Sequence, residues 1–269
     1  MSNPFYPLLP GTSLATSTVA LSQLLLPYPQ FTGLTIVTNA GFNWYHSLQT
    51  QVQRRMAKGF TIMGSWTWSK DMEAIQFLNA GDLRPSRVIS PNDRTNRVAI
   101  NGIYELPFGP GRTFGAGHTG LVGRLIGGWQ IESIYQHQTG DPLGFGNFIF
   151  NGNPNTIALP IGQRTPQAWF NTAGFDRNVA DQLVDNVSYE PLRFSGIRAD
   201  GISYLDLSVV KKTKLTERFS ADIRAEAFNS PNHTVFLDPT TTPTSAAFGQ
   251  VTTSMNYPRT IQFGLVVRF

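Results

Sequence analysis

The chain has no cysteine in 269 residues, so neither a disulfide framework nor a thiolate metal site can be built. Charge is scarce as well. Asp, Glu, Lys and Arg make up 14% of the residues, less than a soluble surface normally carries. No stretch approaches the ~20 consecutive apolar residues of a membrane-spanning helix, which excludes a helical membrane protein. The net charge of +4 is spread thinly and contains no long basic run, so nothing points to nucleic acid as a partner. The opening residues, MSNPFYPLLPGTS, lack the basic start and continuous apolar core of a signal peptide. Either the chain is not exported or its true beginning lies upstream.

What is present is turns and alternation. Gly 25 and Pro 18 mark many turns, and 12% aromatic residues argue against disorder. Seven segments place apolar or small residues at every second position over about ten residues, the period of a strand. HSLQTQVQRRM sets His46, Leu48, Thr50, Val52, Arg54 and Met56 against Gln49, Gln51, Gln53 and Arg55. FTIMGSWTWSK sets Phe60, Ile62, Gly64, Trp66 and Trp68 against Thr61, Met63, Ser65 and Thr67. The same alternation runs through RVAINGIYELPF, GWQIESIYQHQ, SYLDLSVVKK, RFSADIRAEAF and the terminal RTIQFGLVVRF. Strands of globular sandwiches average ~5 to 6 residues, whereas bilayer-crossing strands need ~9 to 11. These segments fit the longer class.

The connections alternate in length. Short turns fall near 57–59 and 213–217 and a Gly-rich link near 107–126, while long loops occupy about 71–93, 140–200 and 230–256. Brief turns at one end and long loops at the other describe an up-and-down antiparallel β-barrel wall of the outer-membrane kind, with periplasmic turns and extracellular loops. One face then meets lipid. The other carries a lumen-facing ionic network of Arg97, Glu105, Glu132, Asp206, Arg224 and Glu226. Trp66 and Trp68 suit an aromatic girdle at one membrane boundary, with Tyr104, Trp129 and Phe269 at the other. Arg54 and Lys211 have the outward register but lie beside short turns, where a lipid-facing cation costs only ~0 to 1 kcal/mol. A soluble sandwich, hiding the apolar face against a second sheet, is the competing architecture.

Chemical motifs are few. GAGHTG at 115–120 fits a dinucleotide-type glycine pattern, but Pro107 and Pro110 crowd its approach and the next strand is amphipathic, so a flexible link with a short helix at TGLVGRLI is expected instead. His46, His118, His137 and His233 lie on different segments without metal-ligand spacing, and no nucleophile elbow occurs. No enzymatic activity, cofactor or metal is therefore expected. In the longest loop, TPQAWFNTAGFDRN offers Trp169, Phe170 and Phe175 near Arg164 and Arg177. These rings could stack on a carbohydrate or peptide solute, or could pack the loop.

Several long stretches resemble the C-terminal part of TonB-dependent receptors, in the Oar-like group that often carries a carboxypeptidase-regulatory-like domain. They are LLLPYPQFTGLTIVTNAGFNWYHSLQTQVQRRMAKGFTIMGSWTWSKDME, NGIYELPFGPGR, GGWQIESIYQHQTGDPL, SYLDLSVVKKTKLTERFSADIRAEAFNSPNH and FGQVTTSMNYPRTIQFGLVVRF. The resemblance implies about seven C-terminal strands of a larger, 22-stranded barrel. It makes residues 1–42 extracellular-loop-like and 43–269 barrel strands, with the chain a fragment lacking plug and signal peptide. It implies location in the outer membrane of a Gram-negative-type bacterium, in contact with its lipid. It implies solute uptake, with the TonB complex acting only through the N-terminal plug of a full-length parent. The alternating C-terminus Phe263, Leu265, Val267, Phe269 resembles the signal read by the barrel-assembly machinery. A passive outer-membrane channel or surface scaffold, and a secreted soluble β module that binds carbohydrate, are the alternatives.

Overall fold

The computed structural model describes every residue except Ile36, Thr38, Ala80 and 183–186, so those parts of the expected loop segments lie outside the described residues. The chain divides into two compact units, Met1–Ala40 and Gly41–Phe269. In the first, the Asn3 side chain donates to the carbonyls of Leu14 and Thr16, both at 2.7 Å, and closes a loop over the buried Leu14. A single helical turn, α1 (Leu21–Leu24), follows.

All seven alternating segments form strands in the second unit. They are β1 (Phe42–Ala57), β2 (Phe60–Ala74), β4 (Asn96–Glu105), β5 (Trp129–Gln138), β8 (Ile202–Lys214), β9 (Ser220–Phe228) and β10 (Thr260–Arg268). Between them lie the short strands β3 (Val88–Ile89), β6 (Pro142–Leu143) and β7 (Phe194–Arg198) and the helix α2 (Gly120–Ile126). The long strands pair antiparallel in chain order, β1-β2-β4-β5-β8-β9-β10, with β3 added to β2. This is an up-and-down meander. The two short turns and the Gly-rich link gather at one end of the sheet, the turn end, and the three long loops at the other, the loop end.

Local chemistry explains the turns. Lys58 and Gly59 both take positive φ, 54° and 81°, as the tight two-residue hairpin between Ala57 and Phe60 requires. Between β8 and β9 the Thr216 hydroxyl accepts from the backbone N–H groups of Arg218 and Phe219 and closes the second short turn.

Two expectations change. Strands β1 and β2 run to 16 and 15 residues, so the first long loop begins after Ala74 rather than near 71. Lys70 breaks the apolar alternation, but Met72 and Ala74 resume it, and Phe42 to His46 continue the ladder opposite. The Gly-rich link is a folded piece rather than a flexible one. A Cβ on Gly109 would lie 2.4 Å from the Gly127 Cα, and one on Gly123 would lie 2.4 Å from the His118 carbonyl oxygen.

Among the described residues no second sheet covers the seven strands; the other sheet found there is the two-stranded β6-β7 pair. The apolar core instead sits in the loops, where Leu143, Phe145, Ile157, Trp169, Phe170, Phe175, Ile197, Ala199, Phe248 and Val251 cluster. A sandwich buries one sheet face against another. Here Leu48, Val52 and Ile223 are each more than half exposed, so the sandwich is excluded.

Candidate functional site

The strand register sorts residues by face, with one irregularity between Arg54 and Ala57 beside the first turn. Leu48 faces Trp68, Gly64 faces Ile100, Ile100 faces Tyr135, Tyr135 faces Leu205, Val209 faces Ala225, and Ile223 faces Leu265. One apolar belt therefore crosses the whole sheet. A one-residue shift anywhere would break it. Along β2, Phe60 and Trp68 are about 26 Å apart at ~3.3 Å per residue, comparable with the ~25 Å apolar band of an outer-membrane barrel.

The belt's borders are aromatic. Trp66 and Trp68 occupy its loop-end border, where the Trp66 indole donates to Asn96 at 3.2 Å. Tyr104 packs edge-on to Phe60 near the turn end, with ring centroids 6.2 Å apart. Trp129, also near the turn end, donates to the Leu125 carbonyl at 2.9 Å. On β10, Phe263, Leu265 and Val267 lie in the belt and, with Phe269 beyond the strand, are all exposed.

The opposite face carries all six expected ionic residues, but not as one network. Arg97 donates to Gln138 of the neighbouring strand at 2.8 and 3.0 Å. Glu105 pairs with Arg112 at 2.7 Å, and the Asp206 carboxylate accepts from the Asn229 backbone N–H at 2.8 Å. Glu132 accepts from Gln130 at 3.1 Å. Only Arg224 and Glu226 pair with each other, at 3.9 Å. The physical reason is spacing: Ser208 stands between Glu132 and Glu226 across the strands, so each ion takes a local partner.

At the loop end the three long connections are tied together. Asp93 is fully buried and meets Arg198 at 2.7 Å, while its other oxygen accepts from the Asp71 backbone N–H at 2.7 Å. Arg193 pairs with Glu73, and Arg94 with Asp141 at 2.6 Å. Above these ions Phe145 is ringed by Phe148, Phe170, Phe175, Phe194 and Phe248, with centroids 4.9 to 6.2 Å away. Trp169, Phe170 and Phe175, the rings offered for solute contact, are at most 7% exposed. Their faces are occupied by other loop side chains, so they pack the loop cap. Trp169 also borders open space, and its indole donates to the Arg198 carbonyl at 2.8 Å.

The cap holds cavities, two of which border its ion-paired arginines. One of about 460 Å³ is lined by Arg94, Asp141, Asp200, Asp238 and Met255, together with Gln138 and Ile202, whose positions belong to the ionic face. Burial pushes the Asp238 carboxyl above its ordinary range; Asp141 adds to the rise and Arg94 opposes it. The other, about 680 Å³, is lined by Tyr135, His137, Arg164, Trp169, His233 and Phe236 among others. Burial lowers the Arg164 pKa, and Asp200 acts against that. His137 and His233 thus line one cavity, while His46 and His118 lie elsewhere. Among the described residues no group of three or more His, Asp or Glu is placed to hold a metal ion. These cavities escaped the sequence because their residues obey no period; the density of Phe between 145 and 194 was the available signal.

A membrane-length antiparallel meander with one face apolar and the other polar is the wall of an outer-membrane β-barrel protein. The chain belongs to the outer membrane beta barrel domain family, which matches residues 3–262. No curated protein and no solved structure matches it. Family membership places the protein in the outer membrane, with the apolar belt toward lipid.

Proposed function

We propose that the chain supplies the C-terminal barrel wall and part of the solute path of a TonB-dependent uptake receptor. The observation that carries this is the continuity between the ionic face and the 460 Å³ loop-end cavity, through Gln138 and Ile202. A solute arriving at the loops meets Arg94, Asp141 and Asp238, and the ionic face leads away from them. The long stretches similar to the Oar-like group support the finer assignment. Energy comes through the plug of a full-length parent; the chain contributes wall, loops and solute contacts, and no catalytic step.

Uptake of fluorescently labelled oligosaccharides and oligopeptides by cells carrying the full-length parent gene tests this. Accumulation that stops when the proton gradient is collapsed is expected. Gradient-independent entry of small solutes would make the protein a passive channel instead.

A further inference from the structure

Helix α2 is amphipathic in the wrong sense for water. Its inner side is glycine: Gly123 is buried and pressed against the His118 carbonyl. Its outer side is Leu121, Val122 and Leu125, exposed at 77%, 53% and 70%. A helix folding in water turns such residues inward. Phe108 and Phe114, in contact in the same link, are exposed as well.

The position of α2 supplies the reason. Lys211 and Trp129 hold belt positions at the turn end, continuing the series Leu205, Leu207, Val209 and Tyr135, Ser133, Ile131. The Lys211 ammonium donates to the carbonyls of Arg124 and Gly127 and lies 5.3 Å from the Trp129 ring centroid. Trp129 donates to Leu125. The end of α2 is thus fastened to the lipid-facing side of the sheet, at the height where hydrocarbon gives way to headgroups.

The surroundings are cationic. A cleft of about 600 Å³ beside α2 is lined by Arg124, Lys214, Leu215, Thr216 and Glu217. Arg218 follows it in the chain, and Arg54 and Lys58 lie at the first turn, all exposed, while Lys212 belongs to the ionic face, opposite Asp222. Of the acids at this end, Glu105 and Asp222 are already paired, with Arg112 and Arg268.

We infer that α2 and the cleft beside it form a seat for anionic phospholipid of the periplasmic leaflet. Leu121, Val122 and Leu125 enter the acyl boundary while Arg124 and Lys214 hold the headgroup phosphate. Interfacial helices bind by this pairing of buried apolar area with charge attraction. Each cation near an anionic surface contributes about fivefold in lipid association.

The absence of cysteine allows a unique reporter. The full chain is reconstituted in bilayers with a fluorophore at Leu121→Cys, an exposed position whose replacement leaves the fold intact. Quenchers are carried at headgroup depth on phosphatidylglycerol or on phosphatidylcholine. Several-fold stronger quenching by the phosphatidylglycerol-borne group is expected, and R124Q/K214Q should bring the ratio close to one. A label at Val179→Cys in the loops should be quenched by aqueous iodide alone. Leu121→Cys quenched only by iodide would overturn the lipid seat and leave the helix to water or to a protein partner. Equal quenching by both lipids would overturn the anionic headgroup. Neither result bears on solute uptake, which this assay does not require.

Discussion

Asp93 and Arg198, 105 residues apart in sequence, meet at 2.7 Å with the carboxylate wholly buried and the guanidinium nearly so. The pair joins the first long loop to the second. Arg198 also donates to the Gly140 carbonyl at 3.0 Å, and Asp93 orders the Asp71 backbone, so four chain segments converge on one ion pair.

Breaking such a pair from one side leaves a buried charge uncompensated, at about 3 to 5 kcal/mol. Asp93→Asn should therefore loosen the loop cap while the long strands stay paired. Limited proteolysis of the protein in bilayers checks this, with cuts expected between residues 139 and 201. Protease resistance equal to that of the parent would show that the pair is dispensable.

The aromatic cap gives a second outcome. Phe145 is buried at the centre of five other rings, and Phe→Ala in such a site costs about 3 to 5 kcal/mol. Phe145→Ala should lower the thermal midpoint of the near-ultraviolet aromatic signal. Trp169→Phe, which removes one hydrogen bond to Arg198, should lower it less. If both substitutions have the same small effect, the rings do not act as a core.

How much of this was visible beforehand follows from periodicity. Strands meeting lipid on one face and water on the other must alternate, so Ile100, Tyr135 and Val209 announced their face, and the register they adopt is the one that alternation demands. Loop packing has no period. Phe145 and Phe248 meet because the chain returns over the cap, and Asp93 finds Arg198 by the same return. Lys211 was legible as an outward cation near a turn, but its enclosure by α2 depends on a helix that docks Gly123 and exposes its leucines.

The belt gives a paired test on one strand. Ile100 faces outward at mid-strand and Asn101 faces the ionic side. An arginine facing lipid at the midplane costs about 2 to 4 kcal/mol, and one facing a polar interior costs little. Ile100→Arg should reduce the fraction that folds in bilayers, read as the heat-dependent shift in gel mobility. Asn101→Arg should leave it near the parent value. Equal loss from both would mean that the two faces are not sorted between lipid and water.

Asp238 gives the loop cap a dependence on pH. Its carboxyl is raised, by burial first and by Asp141 second, so the folded cap binds a proton more readily than the unfolded chain. Stability then falls as pH rises through the raised value and is regained on mild acidification, down to the ordinary carboxylate range. Asp238→Asn should raise the midpoint of cap melting at neutral pH and flatten its pH dependence between neutral and mildly acidic buffer. A variant that keeps the parent's full acid gain would place the titration elsewhere.

The last residue separates folding from recognition. Phe269 is 97% exposed and lies beyond the final ladder pair, Arg268 opposite Ser220. Its removal takes no packed contact from the sheet, so folding into detergent or synthetic bilayers should be unchanged. We propose that Phe269, with Phe263, Leu265 and Val267, forms a signal read by the assembly machinery, so deleting it in cells should lower the amount inserted in the outer membrane. Membrane fractionation beside refolding yield compares the two. A loss of both together would assign the residue to folding, and a loss of neither would remove it from the signal, because an exposed terminal ring with no intramolecular partner can affect insertion only through something that binds it.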